Sequence, residues 1–292
     1  LTTSINSPLR GIACAAIGYL FFSASDVVAK YMRQFDYSAP QISCQYALTA
    51  VVLLLIFSRS LGGLQATLGT GHRRLHLLRG LVSAPTQALN FYAFSKMPMA
   101  NVYAVIFLTP FLTALLSAWF VREKVLPIQW CLIALGFVGV LIAMRPDIYG
   151  FSPPVLAVLV TALFGSIRNA SVRLMGDQET PLSLALFPAL AISLATFLPA
   201  LTHGRMPTLI DGAFLTLGGA LYAAGLLLTC LGFRYAPAAI AAPFHYTQIL
   251  WAMLAGMWFF GDSPDRWTVA GSLVIIGTGL ALIRQQAKKQ SS

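Results

Sequence analysis

The stretch that decides the fold is "LLSAWFVREKVLPIQWCLIALGFVGVLIAM", residues 115–144, because the chain repeats its pattern in "AMLAGMWFFGDSPDRWTVAGSLVIIGTGLALI", residues 252–283. In each copy an apolar run ends on a Trp-Phe pair, an acidic residue follows, and a second apolar run begins. A shift of 139 positions lays Trp119, Phe120 and Glu123 on Trp258, Phe259 and Asp262. The same shift carries Leu78, Gly80, Ala84, Phe94 and Pro98 onto Leu217, Gly219, Ala223, Phe233 and Pro237. Near the first apolar run a shift of 143 pairs Ser23, Lys30 and Met32 with Ser166, Arg173 and Met175. Self-similarity over so much of the chain points to a duplicated unit.

Composition puts that unit in a membrane. Of the 292 residues 58% are hydrophobic and 10% charged, where soluble chains carry about 25% charge; the mean hydropathy is +0.76. Apolar runs of about 17 to 25 residues predict ten spans, near 10–32, 40–58, 75–95, 99–121, 127–144, 154–175, 181–202, 211–233, 237–260 and 266–284. The formal net charge of +10 does not indicate a nucleic-acid partner, because Lys and Arg flank the apolar runs. Thirteen of the 19 basic residues fall on the side that holds the N-terminus, which predicts both termini in the cytoplasm. The first run is too long for a signal-peptide core and reads as a retained helix.

The expected fold is therefore an all-α polytopic membrane protein of ten transmembrane helices, arranged as two five-helix repeats over residues 1–146 and 147–292. Five is odd, so the second repeat enters from the opposite side. The halves are then inverted about an axis in the membrane plane, as in many secondary transporters, with a solute site near midplane.

These paired stretches closely resemble the ends of the two EamA-type repeats of the drug/metabolite transporter superfamily. Within it the chain looks most like the YddG-type exporters of aromatic amino acids. The resemblance implies export of amphipathic metabolites from a bacterial inner membrane, with a central cavity lined by the third, fourth, eighth and ninth spans among others. A monomer in the lipid bilayer, a small-molecule substrate and no cofactor are the expected partners and form.

Candidate site residues follow from helical spacing on those spans. In "PFHYTQILW", residues 243–251, His245, Gln248 and Trp251 share a stripe of the ninth span. Gln87 and Asn90 do so on the third, Tyr103 and Phe107 on the fourth, and Tyr222 lies midway along the eighth. Apolar walls with a few polar groups suit an amphipathic solute. Pro85, Pro110 and Pro243 are candidate hinges. Asp26 is the acidic residue well within a span; Lys30 four residues later offers a local ion pair, and a coupling role for Asp26 is the sharper alternative.

The predicted cavity spans carry no Lys or Arg in their central thirds, which argues against a phosphate clamp. Arg168 and Asn169 on the sixth span are the exceptions, with snorkelling toward the headgroups the expected fate of Arg168. His72 and His76 have helical metal-pair spacing but no adjacent carboxylate, so no metal is expected. Cys14, Cys44, Cys131 and Cys230 sit in apolar runs and read as packing. Gly136, Gly139, Gly277 and Gly279 are expected to let the fifth and tenth spans approach closely. Two other functions fit less well: a drug or organic-cation exporter in the same fold, with proton coupling through Asp26, and a lipid-modifying enzyme, which needs a convergent acid, base or metal cluster.

Overall fold

A computed structural model describes residues 8–121, 126–144, 152–175, 178–261 and 265–291. The boundary at 146 and 147, and the acidic residues Glu123 and Asp262 of the repeat, lie outside the described residues. The first half holds α1 (Pro8–Arg33), α2 (Ala39–Ile56), the short α3 (Leu64–Leu68), α4 (Arg73–Phe94), α5 (Met99–Ile106), α6 (Leu108–Leu116) and α7 (Pro127–Met144). Next come α8 (Pro153–Met175), α9 (Pro181–His203), α10 (Leu209–Tyr235), the single turn α11 (Ala238–Ala241), α12 (Thr247–Phe260) and α13 (Arg266–Ser291). No strand occurs among the described residues. Among the described residues six helical stretches, Leu9–Arg33, Ala39–Ile56, Asn101–Phe120, Pro153–Met175, Pro181–His203 and Leu209–Tyr235, are long and apolar enough to cross a bilayer. The chain is a multi-pass integral membrane protein.

Local chemistry sets the helix starts. Ser38, Thr180 and Thr208 each turn a side-chain oxygen onto the backbone N–H three residues on, at 3.2, 3.0 and 3.2 Å. Each satisfies one of the donors that the first turn leaves open. Proline in the first turn of α2 and α9 fits the same geometry, because its missing N–H would have had no partner there.

Two of the expected continuous spans are broken. The fourth divides at Phe107, between α5 and α6. Pro110 cannot donate to the carbonyl of Ile106 and its ring crowds that turn, so the helix yields just before it. In the ninth, residues 242–246 form a 3-10 segment that carries Pro243, and α12 resumes at Thr247. The breaks fall at Phe107 and Tyr246, 139 positions apart, and the two rings meet edge to face at 5.4 Å between centroids. Pro85 sits within α4, which runs on past it.

Packing is reciprocal across the two halves. Helix α1 lies along α10 and α4 along α8; α2 and α9 pack together, as do α7 and α13. The α1–α10 seam is built from small residues, which let backbones approach without a hydrophobic drive between helices. A methyl group on Gly18 would fall 2.9 Å from the Thr229 backbone nitrogen, and one on Gly225 would fall 2.9 Å from the Phe22 ring. The fifth and tenth spans depart from expectation. Gly136 and Gly139 face Thr278 and the Gly271 carbonyl closely, but Gly277 and Gly279 point into open space.

Gly18→Ala is therefore expected to cost about 1–3 kcal/mol by overpacking and to lower the melting temperature in detergent. Gly277→Ala, added to an open face, is expected to leave it unchanged or slightly raised. Equal effects from the two substitutions would sink this account of the seam.

Candidate functional site

The breaks open onto a narrow, partly open cavity of about 80 Å³ in the middle of the bundle. Helix α1 supplies Tyr19, Phe22 and Asp26 to its wall, and α4 supplies Ser83, Thr86, Gln87 and Asn90. Tyr103 and Thr109 come from either side of the first break, His245 and Gln248 from either side of the second, and Tyr222 from α10. Helix α8 adds Thr161, Arg168 and Asn169.

Of the residues expected at the site, Gln87, Asn90, Tyr103, Tyr222, His245, Gln248 and Asp26 meet at this cavity. Phe107 and Trp251 do not line it. Phe107 is fully buried one layer behind, its ring 6.3 Å from Tyr103 and 6.0 Å from His245. Trp251 is 38% exposed on the outside of the bundle. The reason is helical phase. Three residues of α-helix turn about 300°, which swings Trp251 aside from Gln248, whereas three residues of 3-10 helix close a full turn and keep His245 in line with Gln248.

The walls are aromatic and the fittings polar. The Tyr19 and His245 rings stack at 4.4 Å with 10° between their planes, and Gln248 lies within hydrogen-bond reach of the imidazole. Thr161 donates to Asn90 Oδ1 at 2.8 Å, and the Tyr103 hydroxyl donates to Asp26 Oδ2 at 2.5 Å. The Lys30 ammonium lies 4.4 Å from the centroid of the Phe260 ring.

The charge of the site differs from expectation. Arg168 lines the cavity instead of snorkelling, so the site does carry a cation. Helix α8 packs against α4 and α10, and Thr161, Arg168 and Asn169 turn from it to the cavity. Spacing alone held a signal for walls that were missed: Tyr19 and Phe22 stand at helical intervals from Asp26 along α1, as Gly165 does from Arg168 and Asn169 along α8.

Below the cavity, toward the N-terminal end of α4, a second polar cluster joins the two halves. Glu179 takes hydrogen bonds from Thr70 and from Ser183 at 2.8 Å. His72 Nδ1 and His76 Nε2 each lie 3.1 Å from one of its oxygens. The carboxylate that the histidine pair lacked in sequence thus comes from across the fold. Burial alone would raise the Glu179 carboxyl, but hydrogen bonds from Thr70, Ser183, His76 and His72 outweigh it and hold the group at about 2. No set of three or more side chains arranged to hold a metal occurs among the described residues.

A bundle of membrane-crossing helices around a central cavity of mixed charge and aromatic surface defines a small-molecule transporter. The EamA-like transporter family matches the chain twice, over residues 9–145 and 152–284. The chain belongs to that family; it is a transporter and not an enzyme. It is 24% identical to the S-adenosylmethionine uptake transporter of Rickettsia bellii, over 96% of each chain. It is 26% identical to the riboflavin transporter of Vibrio cholerae, covering 97% of this chain and 96% of that one. The pseudopaline exporter of Pseudomonas aeruginosa is 23% identical over 94% of this chain and 96% of its own. A crystal structure at 16% identity superposes with a TM-score of 0.74 over 97% of this chain and 99% of that chain, which shows a shared fold.

The Glu179 cluster gives a signed pH dependence. A carboxyl held at about 2 in the fold and near 4.3 when unfolded contributes stability above the higher value. That contribution is lost as pH falls from about 4.3 through about 2. Melting temperatures in detergent should show wild type above Glu179→Gln by a constant margin above about pH 5, with the gap closing toward pH 2. A gap that widens with acid would contradict it.

Proposed function

We propose that the protein is an alternating-access facilitator for amphipathic zwitterions that carry a flat ring, with aromatic amino acids as the first candidates. The observation that carries this reading is the cavity itself, aromatic-walled with Arg168 and Asp26 on different helices. Arg168 suits a carboxylate and Asp26 an ammonium, while the stacked Tyr19 and His245 offer a face to a planar group.

The architecture we infer is ten spans in two inverted halves, residues 1–146 and 147–292, with both termini in the cytoplasm of a bacterial inner membrane. Reciprocal packing of α1 with α10 and of α4 with α8 supports it, as do the breaks at matching positions. Pro110 and Pro243 flank those breaks and serve as hinges, with Pro85 as a third candidate. Net flux then follows the solute gradient, outward in a cell that makes the metabolite.

One observation favours a second substrate. Counted along their helices, Asp26 lies outward of the midpoint of α1 and Arg168 inward of that of α8, roughly 14 Å apart in depth at 1.5 Å per residue. An amino acid joined to a larger cationic or heteroaromatic group spans that distance better than phenylalanine does. S-adenosylmethionine is such a molecule and names one of the relatives.

Uptake of radiolabelled phenylalanine, tryptophan and S-adenosylmethionine into proteoliposomes, with and without a pH gradient, tests both. Saturable uptake that ignores the gradient, and falls about tenfold or more in Arg168→Gln on loss of a charge-assisted contact, supports the facilitator. Preference for S-adenosylmethionine selects the second substrate. Gradient dependence that disappears in Asp26→Asn replaces facilitated diffusion with proton coupling, and uptake of organic cations that survives Arg168→Gln but not Asp26→Asn selects a cation exporter.

A further inference from the structure

Helix α4 continues the polar lining of the cavity beyond its floor. Gln87 and Ser83 line the cavity one turn apart, and Arg79 lies a further turn toward the cytoplasmic end on the same face. All three are buried. Among the described residues, neither polar atom of the Gln87 amide, nor Ser83 Oγ, nor Arg79 Nε or Nη1 has a hydrogen-bond partner. Three successive turns of one helix thus point unpaired polar atoms inward, from the cavity toward the cytoplasm.

Arg79 is the extreme case. It is 0% exposed, and Nη2 alone is engaged, donating to the Leu184 carbonyl at 2.8 Å and facing Cys230 Sγ at 3.5 Å. Nε and Nη1 carry three of a guanidinium's five N–H bonds. The charged groups whose fields reach it are Arg168 and Glu179, and the Glu179 oxygens are taken up by Thr70, Ser183, His72 and His76. A buried cation without an anion is strongly unfavourable in a low-dielectric interior. In this arrangement α4, α9 and α10 are drawn together over Arg79 through Leu184 and Cys230.

We propose that Arg79 is a second binding site for the anionic group of the transported solute, on the cytoplasmic side of the cavity, filled when the closure of α4 against α9 and α10 parts. The inference rests on the reading of the solute as bearing a carboxylate. Arg168 holds that group in the cavity, Ser83 and Gln87 offer hydrogen bonds along the way, and Arg79 receives it next. The guanidinium left short of partners in the closed state gains them in the open one, from water or from the carboxylate, so its presence lowers the cost of opening on this side.

Cys230, in contact with Arg79, is a built-in reporter. With Cys14, Cys44 and Cys131 replaced by serine, the modification rate of Cys230 in inside-out vesicles is measured for an anionic sulfonatoethyl and a cationic trimethylammonioethyl methanethiosulfonate. Each rate is normalised to that with free cysteine. The anionic reagent should be favoured in wild type and in Arg79→Lys, the preference should shrink at high salt, and Arg79→Gln should lower the normalised ratio by about tenfold. Phenylalanine should slow the modification and phenethylamine, the same ring without a carboxylate, should not. A ratio indifferent to Arg79→Gln, or a Cys230 that reacts only after unfolding, overturns the site and leaves Arg79 a structural clamp. Charge preference without protection by phenylalanine upholds the anion site and removes aromatic amino acids as the solute.

Discussion

Everything in this bundle depends on one constraint: inside a hydrocarbon layer a backbone N–H or C=O has no water to turn to. A span can be interrupted only where other protein covers the interruption. The fold meets that condition by bringing its two interruptions together. Phe107 and Tyr246 close on each other edge to face, and the breaks they mark are shielded from lipid by α1, α8 and α13. Because the breaks come as a pair, the irregular backbone and the side chains beside it converge on one place. That place is the cavity.

The same constraint governs the polar side chains. Thr161, Asn90, Tyr103 and Asp26 are joined in hydrogen bonds across helices, which serve as glue where no hydrophobic drive separates helix from lipid. Small residues do the complementary work. Where Gly18 and Gly225 face each other along the α1–α10 seam, the backbones come close, and Tyr19 and Phe22 of α1 reach the cavity. The exposed Trp119, Phe120, Trp258 and Phe259 recur at matching positions near the ends of their spans. Rings in such places sit at the membrane interface and fix helix depth.

Much of this was legible in the chain alone. Apolar run length marked the helices within a few residues, but it gave the fourth and ninth spans as continuous, and only the structure shows that their breaks fall 139 positions apart, at the spacing of the repeat. The polar residues of the ninth span, His245 and Gln248, could be placed on one face because they stand out from an apolar background. What spacing could not supply was local helix type. The 3-10 segment at residues 242–246 changes the phase between His245 and its neighbours, so ideal α-helical spacing carried Trp251 into the site. Nor could it foresee Arg168, since whether a cation snorkels depends on which helices crowd its stem. The partnership of His72 and His76 with Glu179 spans more than 100 residues of sequence and leaves no periodic trace.

In the inverted repeat proposed above, the two ends of the bundle are alike in frame, and the energetics of exchange between states then rests on how they differ. Under the shift of 139 positions Arg79 corresponds to Gly218. Around Gly218 the space is filled by Tyr46, whose hydroxyl donates to the Ser25 carbonyl at 3.2 Å and whose ring meets Phe91 edge to face at 5.5 Å. Aromatic rings thus fill one of the two equivalent positions, while the other holds a buried guanidinium with a carboxylate beside two histidines toward the start of α4. Parting the aromatic end exposes apolar surface, at about 25 cal/mol per Å². Parting the polar end breaks hydrogen bonds but hydrates charges that are costly to keep buried. The first term grows with area and the second is partly repaid by water. A duplicated frame with unequal packing at equivalent positions can therefore favour one facing without losing access to the other, and the residues that set the balance, Arg79 and Tyr46, stand directly behind the cavity-lining Ser83 and Phe91.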